Sequence, residues 1–425
     1  MKWKIGKSAL GGSIMIPPSK SHTIRALLIA TLADGVSRIR EPLMSGDGES
    51  ALTAAVALGA RVHREAHDIT IEGIGKHFDG GDDTVYLGNS GTSMRLFTSA
   101  AALGSRRRTF DGDTSLRSRP MRPLLTALES LGATTDIISG NADIPFAIHG
   151  PIRGGAVRID GRTSQFLSSL LLVAPLFEGD TTIVVDTLNE RPYVEMTLWW
   201  LDKMGIRHIV SDDFREFTVA GRQSYAAIDQ CIPGDFSSAT FPAVAAAATG
   251  AEITLENVDF SDPQGDKEVF GILERMGVVV MRYGVSATVK PGDCLSGITI
   301  DLNNMPDALP ALAVLGCLAE GTTSLVNVPQ ARIKECDRIA AMAEELTKMG
   351  AKVRQLEDGI AIERSRLRGT AVHGREDHRI VMALALAAMI AEGETVIDTA
   401  EAATVTYPTF VRDFRALGAD IEEIE

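Results

Sequence analysis

Two patterns of apolar positions alternate along the whole chain. The first is a run of Ala, Leu, Ile and Val with few polar breaks that closes on glycine: IRALLIATLADG, MRLFTSAAALG, FLSSLLLVAPLFEG, ATFPAVAAAATG, ALPALAVLGCLAEG and IVMALALAAMIAEG. The second ends in Leu-Gly or Met-Gly and runs into a strand-like segment: LTAAVALGARV, LLTALESLGATT, LWWLDKMGIRH, FGILERMGVVV, MAEELTKMGAKV and FVRDFRALGADI. A helix apolar on every side is buried, whereas one with a polar stripe faces solvent. The pattern therefore predicts six buried helices interleaved with six surface helices.

The closing glycines of the first set, Gly35, Gly104, Gly179, Gly250, Gly321 and Gly393, recur every 69 to 75 residues. Those of the second, Gly59, Gly132, Gly205, Gly277, Gly350 and Gly418, recur every 68 to 73. Two ladders with one period identify an internal repeat. Each repeat reads as buried helix, strand, surface helix and strand pair, with glycine supplying a left-handed cap at the helix C-termini. Strands such as TTIVVDTL, ITLENV and ETVIDTA follow the first helix. Six such units exceed one comfortable core, so two lobes of three are expected.

Composition narrows the function. With 45% hydrophobic and 23% charged residues, the 425-residue chain is an ordinary globular one. Its 42 Lys and Arg against 56 Asp and Glu give a net charge of −14, which argues against nucleic acid or an anionic membrane as a partner. The longest apolar runs, near 308–319 and 381–391, are shorter than the ~18 residues of a membrane span. The start, MKWKIGKSALGG, lacks the apolar segment of a secretory signal, so a cytoplasmic location is expected. Cys231, Cys294, Cys317 and Cys336 show no C-x-x-C spacing and read as reduced, structural thiols. His63 and His67 lie in a strand-turn-strand segment and read as a surface pair, not a metal motif. GKS at 6–8 lacks the P-loop glycine and no G-x-G-x-x-G follows a strand, so neither cofactor nor metal is expected.

The segments that precede the buried helices are polar and differ between copies: PSKSHTIR, GNSGTSMR, GRTSQF, GDFSSAT, NNMPDA and REDHR. Unpaired backbone N–H groups and the positive end of the dipole make helix N-termini favourable for anions. Ser, Thr, Asn and Asp there also serve as N-caps. Capping does not explain Lys20, Arg25 and Arg95, cations near the end of the dipole that disfavours them. Further basic residues, Arg117, Arg119 and Arg122, and Arg332, Lys334 and Arg338, stand in connecting segments. Arg106–Arg108 read as solvated surface. If the six N-termini converge, guanidinium forks would line a cleft suited to phosphates and carboxylates. Asp307, Glu335, Asp235, Asp377 and His378 are its candidate proton-transfer groups, an inventory for acid–base work on a multiply anionic small substrate.

At these residues the chain resembles a known family. PPSKSHTIRALLIATLADG, LGNSGTSMRL, DGDTSLRSRPM, RIKECDRIAAMAEELTKMGA and EDHRIVMALALAA are together similar to the 5-enolpyruvylshikimate-3-phosphate synthases. The resemblance implies an α/β, two-lobed inside-out α/β barrel, the enolpyruvyl transferase fold, with six βαβαββ repeats, three per lobe. One lobe would comprise residues 1–18 plus 232–425 and the other 19–231, with the active site in the cleft between them. It implies transfer of the enolpyruvyl group of phosphoenolpyruvate to shikimate 3-phosphate in the route to chorismate, without cofactor or metal, by a chain expected to be a monomer. Carried over by position, Lys20, Ser21, Arg25, Thr163, Ser164, Gln165, Asp307 and Lys334 would hold shikimate 3-phosphate. Lys20, Gly91, Arg119, Gln165, Arg338 and Arg379 would hold phosphoenolpyruvate. Asp307, Glu335 and Lys20 would be catalytic.

Four positions depart from the family's pattern. Thr163 replaces a serine of the phosphate-binding pair, Glu190 stands where many members have a further serine, Gln330 replaces an asparagine, and Val405 aligns with a lysine. The related UDP-N-acetylglucosamine enolpyruvyl transferases carry a reactive loop cysteine, and residues 105–122 contain none. A catalytically silent anion-binding module built on the same repeats would not require the two placed carboxylates Asp307 and Glu335.

Overall fold

The computed structural model describes residues 1–140 and 142–425. Its helices are α1 (Lys20–Leu32), α2 (Gly46–Ala57), α3 (Gly91–Ala101), α4 (Thr114–Arg117), α5 (Arg122–Ser130), α6 (Ser164–Val173), α7 (Arg191–Lys203), α8 (Phe236–Thr249), α9 (Glu268–Met276), α10 (Leu309–Gly316), α11 (Arg338–Lys348), α12 (His378–Ile390) and α13 (Phe410–Ala416). All twelve helices of the two ladders are present, and α4 is a single additional turn. The predicted division of labour holds. Every residue of α12 from His378 to Met389 is buried. In α11 the buried apolar Ile339, Met342 and Leu346 follow three- and four-residue spacing and leave a polar stripe outside.

Among the described residues the strands form six four-stranded sheets. In four of them two parallel strands flank a buried helix along the chain; in the other two the parallel pairs are Asp229–Cys231 with Val36–Arg40 and Gly12–Met15 with Ile253–Glu256, and an antiparallel pair of strands completes each sheet. Thr84–Tyr86 pairs parallel with Arg108–Asp111, which pairs antiparallel with Phe146–His149 and through it with Thr134–Ile137. In the sixth sheet the chain's own start, Lys2–Ile5, lies between Thr395–Ile397 and the terminal Ile421–Ile424, so the last repeat is completed by the first residues.

The chain divides into two compact units, Met1–Pro17 with Pro233–Glu425, and Pro18–Ile232. In the continuous unit α1, α3 and α6 pack together, with α2, α5 and α7 outside them. In the discontinuous unit α8, α10 and α12 take that place, with α9, α11 and α13 outside. The strand Gly12–Met15 pairs parallel with Ile253–Glu256, so the first repeat of this unit is the one the long excursion interrupts.

Ten of the twelve ladder glycines have positive φ, as the cap reading requires; Gly104 and Gly179 do not. At Gly104 the requirement is space, because a Cβ would come within 2.6 Å of the Phe78 carbonyl oxygen and Asp79 Oδ1. One expectation is corrected. Arg106 and Arg107 pair with Asp83 and Asp136 at the surface, but Arg108 is fully buried. Its guanidinium donates to the carbonyls of Phe78 and Gly80, and burial lowers its pKa. The hairpin holding His63 and His67 is as predicted, with both rings exposed. Among the described residues no helix is long and apolar enough to cross a membrane.

Candidate functional site

The predicted site residues fall into two sets, one in each unit. In the discontinuous unit the set is organised by Arg338, the first residue of α11 and 1% exposed. Asp337 caps this helix by accepting the N–H of Ala340 at 3.0 Å, which fixes where Arg338 begins. Arg338 Nε donates to Asp377 Oδ2 at 2.8 Å, Nη1 to Asp307 Oδ1 at 2.7 Å, and Nη2 to Glu335 Oε2 at 2.6 Å and Asp377 Oδ1 at 3.2 Å. Burial draws the Arg338 pKa down, but Asp377, Glu335 and Asp307 outweigh it and raise it well above the ordinary value.

Asp307 lies in the single 3-10 turn Pro306–Ala308 that leads into α10. Its second oxygen meets Arg379 Nη2 at 3.0 Å, so one carboxylate bridges two guanidinium groups. Asp377 caps α12, accepting the N–H groups of Arg379 and Ile380, while its side chain grips Arg338. Asp235 likewise caps α8 through the N–H of Ser238. His378 is buried in the first turn of α12. Lys334 follows the 3-10 turn Pro329–Ile333, partly exposed beside Glu335. Arg332, by contrast, is spent on structure: it binds Asp337 and the carbonyls of Leu356 and Glu357. Gln330 donates to the carbonyl of Asn303, and Val405 ends a 3-10 turn at 400–405.

Sequence reasoning missed Asp266 in this set. It is 2% exposed, it accepts from Ser237, and it feels Asp307, Arg379 and Asp235. Burial and then Asp307 push its pKa up to about 7, against the opposing pull of Arg379. Its only local signal is an acidic residue in the Pro-Gln-Gly-Asp turn before α9. Cys336 beside Asp377 is inert for a related reason, since burial and that carboxylate raise its thiol pKa.

In the continuous unit the set gathers at the starts of α1, α3 and α6. Lys20 is the first residue of α1, and its Nζ lies 3.3 Å from Asp47 Oδ2. Ser21 follows it, and the Ser21 carbonyl accepts from Arg25 Nη1 at 3.0 Å. Arg25 is 2% exposed and donates further to Thr197 Oγ1, Ser168 Oγ and the Tyr193 carbonyl, all neutral groups. Burial lowers its pKa to about 10, which leaves it charged at neutral pH.

Gly91 opens α3 where a Cβ would lie 2.9 Å from Arg119 Nη1 and 3.4 Å from Arg95 Nη1. Arg119 is held by the Asn89 side chain and carbonyl and by Ser115. The neighbouring Arg117 and Arg122 turn instead to the surface carboxylates Asp111 and Asp143. Arg95 Nη1 donates to Gln165 Oε1 at 2.5 Å, and Gln165 Nε2 donates to Thr92 Oγ1. Arg95 thus belongs to the set, and its position against the α3 dipole was the only sequence signal for it. Thr163 caps α6 and Ser164 begins it. Glu190, 1% exposed and at φ 57, places Oε2 against the Ser164 N–H at 3.2 Å and the Ser164 hydroxyl at 2.8 Å.

Each set gathers buried or half-buried cations on fixed acceptors, and one of them adds carboxylates bridged by those cations. That chemistry can neutralise anionic ligands and move protons. Comparisons agree with it. Residues 5–414 match the profile of the family described as EPSP synthase (3-phosphoshikimate 1-carboxyvinyltransferase). The 3-phosphoshikimate 1-carboxyvinyltransferase of Acetivibrio thermocellus is 51% identical over 425 residues, the full length of both chains. That of Ruminiclostridium cellulolyticum is 48% identical, with 99% of each chain covered. Among solved structures, EPSP synthase from Acinetobacter baumannii superposes with a TM-score of 0.83 at 27% identity, covering 99% of this chain and 100% of that one.

Proposed function

The chain belongs to the EPSP synthase family, and from that premise we propose how its residues divide the family's reaction. The enzyme transfers the enolpyruvyl group of phosphoenolpyruvate to the 5-hydroxyl of shikimate 3-phosphate, and phosphate leaves. The hydroxyl oxygen attacks C2 while C3 takes a proton, which gives a tetrahedral intermediate. Reversal of the proton transfers at C3 and loss of phosphate from C2 then regenerate the enol ether. The chemistry requires an acceptor for the hydroxyl proton, a donor for C3 and neutralisation of several anionic groups.

Asp307 takes the hydroxyl proton in this reading. The observation that carries it is the bridge from Asp307 to both Arg338 and Arg379, which orients a carboxylate between two cations. Glu335, held by Arg338 Nη2 at 2.6 Å, exchanges the proton at C3. Lys20 serves both substrates. Arg338, Arg379 and Arg119, with Gly91 and Gln165, hold phosphoenolpyruvate. Ser21, Arg25, Thr163, Ser164, Gln165 and Lys334 hold shikimate 3-phosphate together with Asp307. Arg25 supports this as a buried cation whose protein partners are all uncharged, a charge that an anionic ligand would balance. Arg338 spends four of its five N–H groups on carboxylates, so it orders the acid–base groups as much as it binds substrate.

Phosphate release measured with purified protein tests the reading. Release is expected only when both substrates are present. Release with phosphoenolpyruvate and UDP-N-acetylglucosamine instead, or none with the shikimate substrate, would refute it.

A further inference from the structure

Between strand Ala371–Val372 and α12 the backbone takes a conformation that side-chain-bearing residues rarely adopt. Arg375 and Glu376 are consecutive, and their φ angles are 57° and 54°. Outside groups hold every residue of this segment. The His373 N–H donates to Glu345 Oε2 at 3.0 Å and the Gly374 N–H to Asp398 Oδ1 at 2.9 Å. Arg375 Nη2 donates to Glu345 Oε1 at 2.6 Å, and the Glu376 N–H to Thr399 Oγ1 at 3.1 Å. Asp377 closes the segment on Arg338.

Glu345 is a fully buried carboxylate outside the acid–base set. Besides His373 and Arg375 it accepts from Lys348, at 3.0 Å to each oxygen. Glu345 and Arg338 are seven residues apart on α11, which puts them on one face about 10 Å apart along the axis. The helix therefore grips the 373–377 segment at two places, Glu345 at its start and Arg338 at its end. The two residues after the segment are His378 and Arg379. Where the segment lies on α11 sets where Arg379 meets Asp307.

We propose that the Glu345–Arg375 pair is a positioning device for phosphoenolpyruvate binding: it clamps residues 373–377, with Arg375 and Glu376 left-handed, on α11 and so aligns Arg379 and Asp377 with Arg338 and Asp307. The proposal rests on the reading above that Arg338 and Arg379 hold phosphoenolpyruvate. A purely structural role for Glu345 would lower stability without distinguishing between the two substrates. Alignment of Arg379 distinguishes them.

Steady-state kinetics of Arg375→Met, Arg375→Lys and Glu345→Gln, with Arg379→Gln as reference, tests it. Arg375→Met is the decisive variant, because Arg375 is partly exposed and Glu345 retains Lys348 and the His373 N–H as partners. The expected result is a KM for phosphoenolpyruvate raised ~10-fold in Arg375→Met, a KM for shikimate 3-phosphate within about twofold of the parent, and a partial rescue by Arg375→Lys. If Arg379→Gln raises the phosphoenolpyruvate KM and Arg375→Met does not, the positioning role is overturned and the assignment of Arg379 stands. Equal rises for both substrates also overturn it. If Arg379→Gln leaves the phosphoenolpyruvate KM unchanged, the assignment fails and the positioning role with it. Should Glu345→Gln not fold, the two Arg375 variants decide alone.

Discussion

The carboxylate of Glu190 occupies the N-terminus of α6, where one oxygen accepts both the backbone N–H and the hydroxyl of Ser164. These are donors that the proposed function gives to the phosphate of shikimate 3-phosphate. Glu190 sits there in a left-handed conformation that costs a side-chain-bearing residue roughly 1 kcal/mol, so the contact is held against local strain.

Substrate phosphate must then displace or share the Glu190 position. Removing the charge while keeping the shape, in Glu190→Gln, is expected to tighten shikimate 3-phosphate binding by about tenfold, or ~1.4 kcal/mol. Titration calorimetry of the binary complex checks this. Unchanged or weaker binding would mean that the phosphate is seated away from Ser164.

Asp307→Ala should leave binding of shikimate 3-phosphate measurable and cut turnover by roughly 100-fold or more, the scale of a lost acid–base group. Alanine also removes a carboxylate acceptor from both Arg338 Nη1 and Arg379 Nη2, so Asp307→Asn is the cleaner comparison. Asparagine keeps an acceptor for one guanidinium but cannot take the hydroxyl proton. Single-turnover rates of the two variants should fall together. Near-normal turnover in Asp307→Asn would remove Asp307 from proton transfer.

Gly91 leaves the space in which Arg119 and Arg95 approach the start of α3. A methyl group there comes 2.9 Å from Arg119 Nη1, closer than real contacts allow, so the guanidinium must shift by a few tenths of an ångström. Glyphosate, a compact anion carrying a phosphonate and a carboxylate, is expected to inhibit this enzyme in competition with phosphoenolpyruvate. Gly91→Ala should raise its inhibition constant by more than it raises the KM for phosphoenolpyruvate. Unaltered sensitivity would place the inhibitor away from Gly91.

The repeat was legible because its signals are local. An all-apolar helix and a glycine cap read the same way in each copy, and the helices of both ladders lie where the ladders put them. The site was legible only in part. Arg117, Arg119 and Arg122 are alike in sequence, and which of them turns inward depends on Asn89 in the turn before α3, Asp111 in strand Arg108–Asp111 and Asp143 before strand Phe146–His149. Arg108 looked like its solvated neighbours because its carbonyl partners are about thirty residues upstream. Glu345 looked like one more carboxylate beside Lys348 on a surface helix. Its partnership with Arg375, thirty residues later, is a tertiary fact. Asp266 left no more than an acidic residue in a turn, since burial and neighbouring charge make it unusual.

Asp266 makes the fold's stability depend on pH in a direction opposite to that of a salt-bridged acid. Its pKa is raised from the ordinary carboxylate value of 3.8 to about 7, first by burial and next by Asp307. Between those two pH values the folded protein retains a proton that the unfolded chain has released. Stability therefore falls as pH rises through this window and levels off above about pH 7, by at most about 1.4 kcal/mol per pH unit. Asp266→Asn removes that contribution while keeping a polar side chain as the partner of Ser237. Denaturant unfolding of both proteins at pH 5 and pH 7.5 is expected to show the variant gaining on the parent at the higher pH, by on the order of 1–3 kcal/mol. Carboxylates that do not interact with Asp266 titrate equally in both proteins and cancel in the difference, whereas Asp307 and Asp235 titrate with it and belong to the contribution that is measured. A constant difference across the window would mean that Asp266 is already ionised in the folded state at pH 5, with Arg379 outweighing burial.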